Sequence, residues 1–290
     1  MTDPSVTGEL VGGGRVAPAG SVTGSARAYA PRRRASWKSV ALPSEHGGWG
    51  LTAEPGLLGI LLAPGWSSLW IAVAALLAFT ARTPLKILAV DLRRKRMLER
   101  TRLAALVGIA ELALLAACAT AAVATAAAPF YWPLLAAVPL VGLQAFYDVR
   151  SRSRRLVPEL AGAVGVCAVA AMAVLAGGGS ALLATGAWLV LSGRAVASIP
   201  WVRAQVMRLH QRSTDGRALI ATDATALVAA TAAFALEPSL WPGSIAVAAT
   251  IGAQRLIERA EPMPAPRLGA IQMAMGFAVV AITAIGVALA

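Results

Sequence analysis

The chain has 290 residues, of which 58% are hydrophobic and 14% are charged, and its mean hydropathy is +0.68. These values exclude an ordinary soluble domain, which is less apolar and more highly charged. The net charge of +12 does not indicate nucleic-acid binding, because the basic residues lie in separate breaks between apolar runs and form no recognised nucleic-acid motif. We therefore predict a membrane protein without a nucleic-acid partner.

Residues 1–40 form the first segment, which is rich in Gly, Pro, Ser, Ala and Arg. The segment contains no apolar run, so we expect no signal-peptide core before the first apolar segment. We predict a disordered, basic cytoplasmic arm over residues 1–40 and a transmembrane helical domain over residues 41–290.

The rest of the chain alternates apolar runs with short polar breaks. A bilayer core about 30 Å thick requires about 20 apolar residues per helix. The pattern predicts an all-α, polytopic transmembrane helix bundle of about nine spans. The predicted spans are 47–63, 66–81, 103–123, 130–147, 159–176, 180–198, 218–236, 240–254 and 268–289.

The 26 lysine and arginine residues set the expected orientation of these spans. All of them lie in the N-terminal arm or in and beside alternate breaks, and the remaining breaks contain none. Because positively charged loops stay on the cytoplasmic side, we predict a cytoplasmic N-terminus and an external C-terminus. The abundance of Arg and Ala is typical of GC-rich bacterial genomes, so we expect a bacterial cytoplasmic (inner) membrane protein.

The first candidate site is the stretch Glu45-His46-Gly47-Gly48-Trp49 at the entrance to the first span. Glu45 and His46 could accept a proton or bind a polar headgroup, and Trp49 could line the same site. The alternative is a helix N-cap followed by an interfacial tryptophan anchor.

The second candidate site is a set of polar residues where cytoplasmic loops meet the spans. Guanidinium groups fit phosphate oxygens because their rigid forks donate paired hydrogen bonds. Glu159 could pair with an arginine, and Arg194 and Ser198 share a helix face that could line an inner cavity. The alternative is a set of charges that only determines topology. The candidates are Arg82, Asp148, Arg150, Arg155, Glu159, Arg194, Ser198 and Arg203.

Two acidic residues, Glu54 and Glu111, lie near the middle of their predicted spans. An ionisable group at that depth costs about 3 kcal/mol on insertion scales, so each is expected to face the bundle interior with a partner. These residues could serve proton movement or the binding of a polar substrate. The alternative is that both are protonated packing groups.

Three stretches resemble the YwiC-like family of bacterial membrane proteins over roughly residues 42–289. They are Glu45-His46-Gly47-Gly48-Trp49, Glu159-Leu160-Ala161-Gly162 and Ser198-Ile199-Pro200-Trp201-Val202-Arg203. This resemblance implies an integral membrane protein and no particular activity.

The helix pattern also resembles UbiA-type intramembrane prenyltransferases, which have nine helices and a cytoplasmic N-terminus. Those enzymes bind magnesium and a prenyl diphosphate through two aspartate-rich motifs, in the loops after helices two and six. Here the corresponding loops offer only Asp91, Asp215 and Asp223, which are weak candidates for metal ligands.

We therefore expect a UbiA-like bundle that binds or processes an anionic lipid or isoprenoid in an Arg-lined, cytoplasm-facing cavity, with membrane lipids as partners. No cofactor is expected unless the protein is a transferase, which would require Mg²⁺. The alternative is a small transporter or a non-enzymatic subunit of a membrane complex, for which Glu54 and Glu111 would be the relevant residues.

Overall fold

A computed structural model describes residues 37–41, 46–150 and 155–290, and it describes only the backbone of residues 38, 39, 46 and 47. Most of the predicted N-terminal arm therefore lies outside the described residues. Every described element is helical. The helices are α1 (Trp37–Ala41), α2 (His46–Leu62), α3 (Trp66–Arg93), α4 (Glu99–Thr125), α5 (Tyr131–Val149), α6 (Leu156–Ala176), α7 (Ala181–Leu209), α8 (Gly216–Leu236), α9 (Trp241–Glu258) and α10 (Ala265–Ala288), with a 3₁₀ turn at Pro238–Leu240.

Among the described residues, the long helices α2 to α10 correspond one to one to the predicted apolar segments, which confirms the all-α prediction. Seven of them, α3 to α8 and α10, are long and apolar enough to cross a membrane. The two others are shorter or more polar: α2 has 17 residues, and α9 ends with Gln254, Arg255 and Glu258 among its last turns. The protein is therefore a multi-pass membrane protein.

The bundle is apolar on its outer surface as well as inside. Leu106 of α4, Leu135 of α5 and Ile220 of α8 are 68%, 70% and 67% exposed. The interior is built mainly on α6 and α7 and is rich in small residues such as Ala170 and Ala187, both fully buried. Helices that are apolar all round are typical of bilayer-embedded proteins, because lipid covers their outer faces.

Two helices extend far beyond their predicted spans. The predicted spans 66–81 and 180–198 end shortly before Pro84 and Pro200, whereas α3 continues through Pro84 to Arg93 and α7 continues through Pro200 to Leu209. A proline inside a helix removes only one backbone hydrogen bond, and neighbouring helices can compensate for that loss in a membrane bundle. Both prolines are buried against such neighbours.

The cation-bearing helix ends are joined to one another by polar contacts, so they lie at the same end of the bundle, which we call the basic end. The contacts are Arg82 to Asp148 (α3 to α5), Arg203 to Glu159 (α7 to α6), Arg208 to the carbonyl of Glu258 (α7 to α9) and Arg255 to Asp223 (α9 to α8). At the other end, the backbone N–H of Ala127, in the turn after α4, donates to the carbonyl of Ala176 at 2.7 Å. This hydrogen bond joins that turn to the end of α6.

The two most exposed helices do not pair with each other. Helix α4 packs mainly against α3, α5 packs mainly against α6, and the described residues of α4 and α5 do not pack together. Helices α3 and α6, which contact both, lie between them. The lipid-facing side of the bundle is therefore interrupted between α4 and α5.

Candidate functional site

A buried ion pair joins α2 to α7 in the interior of the bundle. The Nε atom of Arg194 lies 3.0 Å from Oε2 of Glu54, and the two side chains are only 3% and 2% exposed. An isolated charge in such surroundings is very costly, so each residue compensates the other. The expectation that Glu54 faces the interior with a partner is confirmed, and that partner is Arg194.

Helix α10 closes over this pair. The Nη2 group of Arg194 donates a hydrogen bond to the backbone carbonyl of Gln272 at 2.5 Å. One turn further along α10, a Cβ atom on Gly276 would lie 1.9 Å from Oε1 of Glu54 and 2.6 Å from Nη2 of Arg194. The absence of a side chain at Gly276 is therefore what gives the ion pair its space.

A short chain of amide and hydroxyl groups continues from the pair towards α9. Ser198 lies one turn after Arg194 on α7, and its hydroxyl accepts a hydrogen bond from Nε2 of Gln254 at 3.0 Å. The same Nε2 group lies 3.5 Å from Oε1 of Gln272. The structure therefore brings Glu54, Arg194 and Ser198 together, and it adds Gln254 and Gln272, which the sequence analysis had missed.

Arg194 does not line an open cavity in this structure. Its guanidinium is held between Glu54 and the carbonyl of Gln272, and its whole side chain is enclosed by packed helices. Glu54, Arg194, Ser198, Gln254 and Gln272, which we call the central polar cluster, are therefore distinct from the exposed arginines at the basic end.

Asp148 is the centre of a second ion-pair cluster, at the basic end. Its Oδ2 atom accepts a hydrogen bond from Nε of Arg82 at 2.7 Å, and Nζ of Lys86 lies 3.9 Å from its Oδ1 atom. Asp148 itself is buried, whereas both cations are about one-third exposed. This cluster holds α5 against α3. It also neutralises Asp148, which precedes the exposed Arg150 by two residues.

A shallow groove lies between the ends of α3 and α5. It has a volume of about 190 Å³ and is lined by Val90, Arg93, Arg94, Val149 and Arg150. An adjoining groove of about 460 Å³ shares Arg93, Val149 and Arg150 and adds Ala145 and Phe146. Nη1 of Arg93 donates to the carbonyl of Val149 at 3.3 Å, and the Arg150 guanidinium lies 3.5 Å from the centre of the Phe146 ring. Guanidinium groups and apolar side chains therefore meet at one surface, which we call the arginine groove.

Two other arginines predicted for the site have different surroundings. Arg203 lies 3.6 Å from Oε2 of Glu159, and both side chains are roughly 40% exposed, which agrees with the expected pairing of Glu159 with an arginine. The Arg155 guanidinium faces the ring of Tyr147 at 5.9 Å. Neither residue contacts the central ion pair.

The first candidate site can be described only in part. Glu45 lies outside the described residues, and His46 is described only as the first residue of α2. Trp49 packs edge-on against Phe79 of α3, with ring centres 5.3 Å apart, so it contributes to helix packing. Glu111, the other predicted intramembrane acid, is half-buried on α4 and interacts with Thr80 of α3.

The three candidate metal ligands each make other interactions. Asp91 accepts hydrogen bonds from Nη2 and Nε of Arg100, at 2.8 and 3.1 Å, and Asp223 pairs with Arg255. Asp215 caps α8 by accepting from the backbone N–H of Arg217 at 3.0 Å. Within the described ranges, no three His, Cys, Asp or Glu side chains are grouped to hold a metal ion. This donor set does not fit a magnesium site, which requires several oxygen ligands around one point.

The family model described as YwiC-like protein matches residues 42–174. The predicted resemblance to this family is therefore confirmed over residues 42–174, a range that contains Glu54, Arg82 and Asp148. The Ser198–Arg203 stretch and Arg194 lie beyond the matched residues. No curated protein and no solved structure matches the chain.

Proposed function

We propose that this YwiC-like membrane protein binds a phosphate-bearing lipid, either an anionic phospholipid or an isoprenoid phosphate, in the arginine groove. The observation that carries the proposal is the placement of Arg93, Arg94 and Arg150 around a groove whose other lining side chains are apolar. Guanidinium groups suit phosphate oxygens, and apolar walls suit the adjoining hydrocarbon.

Charge balance at the groove supports an anionic ligand. In the part of the chain that the structure describes, no acidic residue lines either part of the arginine groove, and the adjacent Asp148 is already paired with Arg82. The hydrocarbon part of the ligand would lie along α3 on the side where α4 and α5 do not pack together. This arrangement puts the headgroup at the basic end and the tail in the bilayer.

The UbiA-like part of the proposal concerns architecture and ligand class. UbiA-type enzymes use the regions after helices two and six, and here the corresponding helices α3 and α7 both extend beyond their apolar parts. Because Asp91, Asp215 and Asp223 do not form a magnesium site, we propose lipid binding without a metal-dependent transfer step.

Lipid binding is testable by native mass spectrometry of the gently purified protein. We expect the wild type to retain a phosphate-bearing lipid and the Arg93→Ala/Arg150→Ala variant to bind it about 30-fold more weakly, since each arginine near a membrane surface contributes roughly 1 kcal/mol. Added phosphatidylglycerol and a polyprenyl phosphate distinguish the two ligand sources.

Arg259→Ala is the matched control for this experiment, because Arg259 is also exposed at a cation-bearing helix end but lies outside the arginine groove. An equal loss of lipid in the control would mean that binding depends on net charge alone. Full retention of the lipid in the double variant would rule out the groove as the binding site.

We further propose that all nine long helices cross the inner membrane, with the basic end in the cytoplasm. In support, α2 packs along α3, α6 and α10. Its 17 residues correspond to about 25 Å, close to the thickness of a bilayer core. The tight turns between α2 and α3 and between α8 and α9 would then lie outside.

Cysteine labelling tests this topology in a background without Cys118 and Cys167. Gly65→Cys lies in the exposed turn between α2 and α3, where an added side chain meets open space, and Ser213→Cys lies in the exposed loop between α7 and α8. A membrane-impermeant maleimide should label the first in intact cells and the second only after permeabilisation. The reverse pattern, or labelling of both positions in intact cells, would contradict the proposed orientation.

A further inference from the structure

One face of the second half of α7 carries a row of polar side chains. Residues 194, 198, 201, 205 and 208 are spaced alternately by four and three positions, which places them on a single face of a helix. Arg194, Ser198, Trp201 and Gln205 are all 2% exposed or less. We call this row the polar seam. At 1.5 Å per residue, it extends for about 21 Å.

The polar seam opens towards one end of the bundle only. Arg208, at its outer end, is half-buried and donates to Oε1 of Gln205 at 3.2 Å and to the carbonyl of Glu258 at 2.8 Å. Beyond Arg194 in the opposite direction, the same helix face continues as Leu191 and Ala187, which are at most 1% exposed. The seam therefore connects the Glu54–Arg194 pair to the basic end and is closed by apolar residues on the other side.

Four buried polar atoms along this route have no hydrogen-bond partner in the protein. They are Oε1 of Glu54 and, on α7, Nε of Arg194, Nε1 of Trp201 and Nε2 of Gln205. The contact of Nε of Arg194 with Glu54 is an ion pair without hydrogen-bond geometry. Buried polar groups in folded proteins are nearly always satisfied, and where the protein supplies no partner, ordered water does so. Unsatisfied groups along one face of α7, with Oε1 of Glu54 at the inner end, are what a file of water molecules would require.

We propose that the polar seam is a hydrated path through which Glu54 exchanges a proton with the aqueous phase at the basic end. In this step a hydronium ion in the seam gives a proton to Oε1 of Glu54: one O–H bond of the hydronium breaks, one O–H bond forms on the carboxylate, and a water molecule remains. The reverse step returns the proton to water. The path is separate from the arginine groove, so either site can exist without the other.

The charged and titratable groups around Glu54 come from two helices. Helix α7 contributes Arg194 and α6 contributes the Cys167 thiol. Helix α10 contributes Gly276, and its one charged residue, Arg267, lies near its start. On α3, Ala72 is opposite Gly56, and the first charged residue, Arg82, lies about 15 Å further along the helix axis.

Infrared spectroscopy of the full-length protein in phosphatidylcholine vesicles tests this path. A pH titration should reveal the carbonyl stretch of a protonated carboxyl group that is missing in Glu54→Gln and shifted in Glu54→Asp. After a change to D₂O, this band should shift quickly in the wild type and about tenfold more slowly in Gln205→Leu, the factor that corresponds to one lost water-mediated hydrogen bond of roughly 1.4 kcal/mol.

Thr225→Val is the matched control, because Thr225 is a polar residue on the exposed surface of α8. In this variant the Glu54 carboxyl group should exchange its proton for deuterium at the wild-type rate. Trp201→Phe provides a second seam variant that removes only the indole N–H group and a small part of the ring. If Glu54→Gln does not fold, the shift in Glu54→Asp still assigns the band. The absence of a Glu54 band at every pH at which the protein stays folded, or equal exchange rates in the seam variants and the control, would overturn the proposal.

Discussion

Replacing Arg194 with Met should lower the free energy of unfolding by about 3–5 kcal/mol, because it leaves Glu54 buried without its cation. The wild-type pair is separated by 3.0 Å and almost fully enclosed, so the unpaired carboxylate would stay in surroundings that solvate a charge poorly. The measurement is equilibrium unfolding of the purified protein in mixed micelles.

Arg203→Met is the control on the same helix. Arg203 also pairs with a glutamate, Glu159, but the two side chains are 40% and 44% exposed. Exposed pairs contribute at most about 1 kcal/mol, so this variant should unfold close to the wild type.

The double variant Glu54→Leu/Arg194→Met should recover most of the stability that Arg194→Met loses, because well-packed apolar side chains can replace a buried ion pair. If the stability losses of the single variants Glu54→Leu and Arg194→Met simply added up in the double variant, the two residues would not be coupled. That outcome, or wild-type stability in Arg194→Met, would contradict the central ion pair.

The helix pattern could be predicted well from the sequence because long apolar runs separated by Gly and Pro leave few alternatives. The largest differences are near Pro84 and Pro200, because the predicted spans 66–81 and 180–198 end shortly before these prolines whereas α3 and α7 continue through them. A proline favours the end of a helix, but both prolines are buried inside continuous helices. A single sequence does not show which neighbour will support a helix at such a point.

The candidate site could be predicted only in pieces. Glu54 and Arg194 were each selected because a charged residue deep in an apolar segment needs a partner, but a single sequence contains no information on the register between α2 and α7. Their pairing therefore emerged only from the structure.

The glutamines of the central cluster were missed because they carry no charge. The available signal was polar side chains inside otherwise apolar helices, at Gln254 and Gln272, together with the four-and-three spacing that follows Arg194 on α7. Polar residues in membrane helices commonly face other helices, and that rule would have placed both glutamines in the interior.

Gly276→Ala should destabilise the protein by about 1–3 kcal/mol, the usual cost of overpacking a filled interior. The added Cβ would lie 1.9 Å from Oε1 and 2.3 Å from Cδ of Glu54. Glu54 cannot move away freely, because its other oxygen is held by Arg194. The expected result is a lower midpoint of thermal unfolding in detergent.

Gly269→Ala on the same helix is the matched control, because a Cβ atom at Gly269 meets nothing within 4 Å. This change should stabilise the protein slightly, by about 0.5–1 kcal/mol, since alanine loses less backbone entropy than glycine in a helix. In a Glu54→Ala background, the cost of Gly276→Ala should become smaller, because the two closest clashing atoms are no longer present and only Nη2 of Arg194, at 2.6 Å, remains. If Gly276→Ala instead behaved like Gly269→Ala in the wild-type background, Glu54 could not lie against α10, and the central ion pair would have to be placed differently.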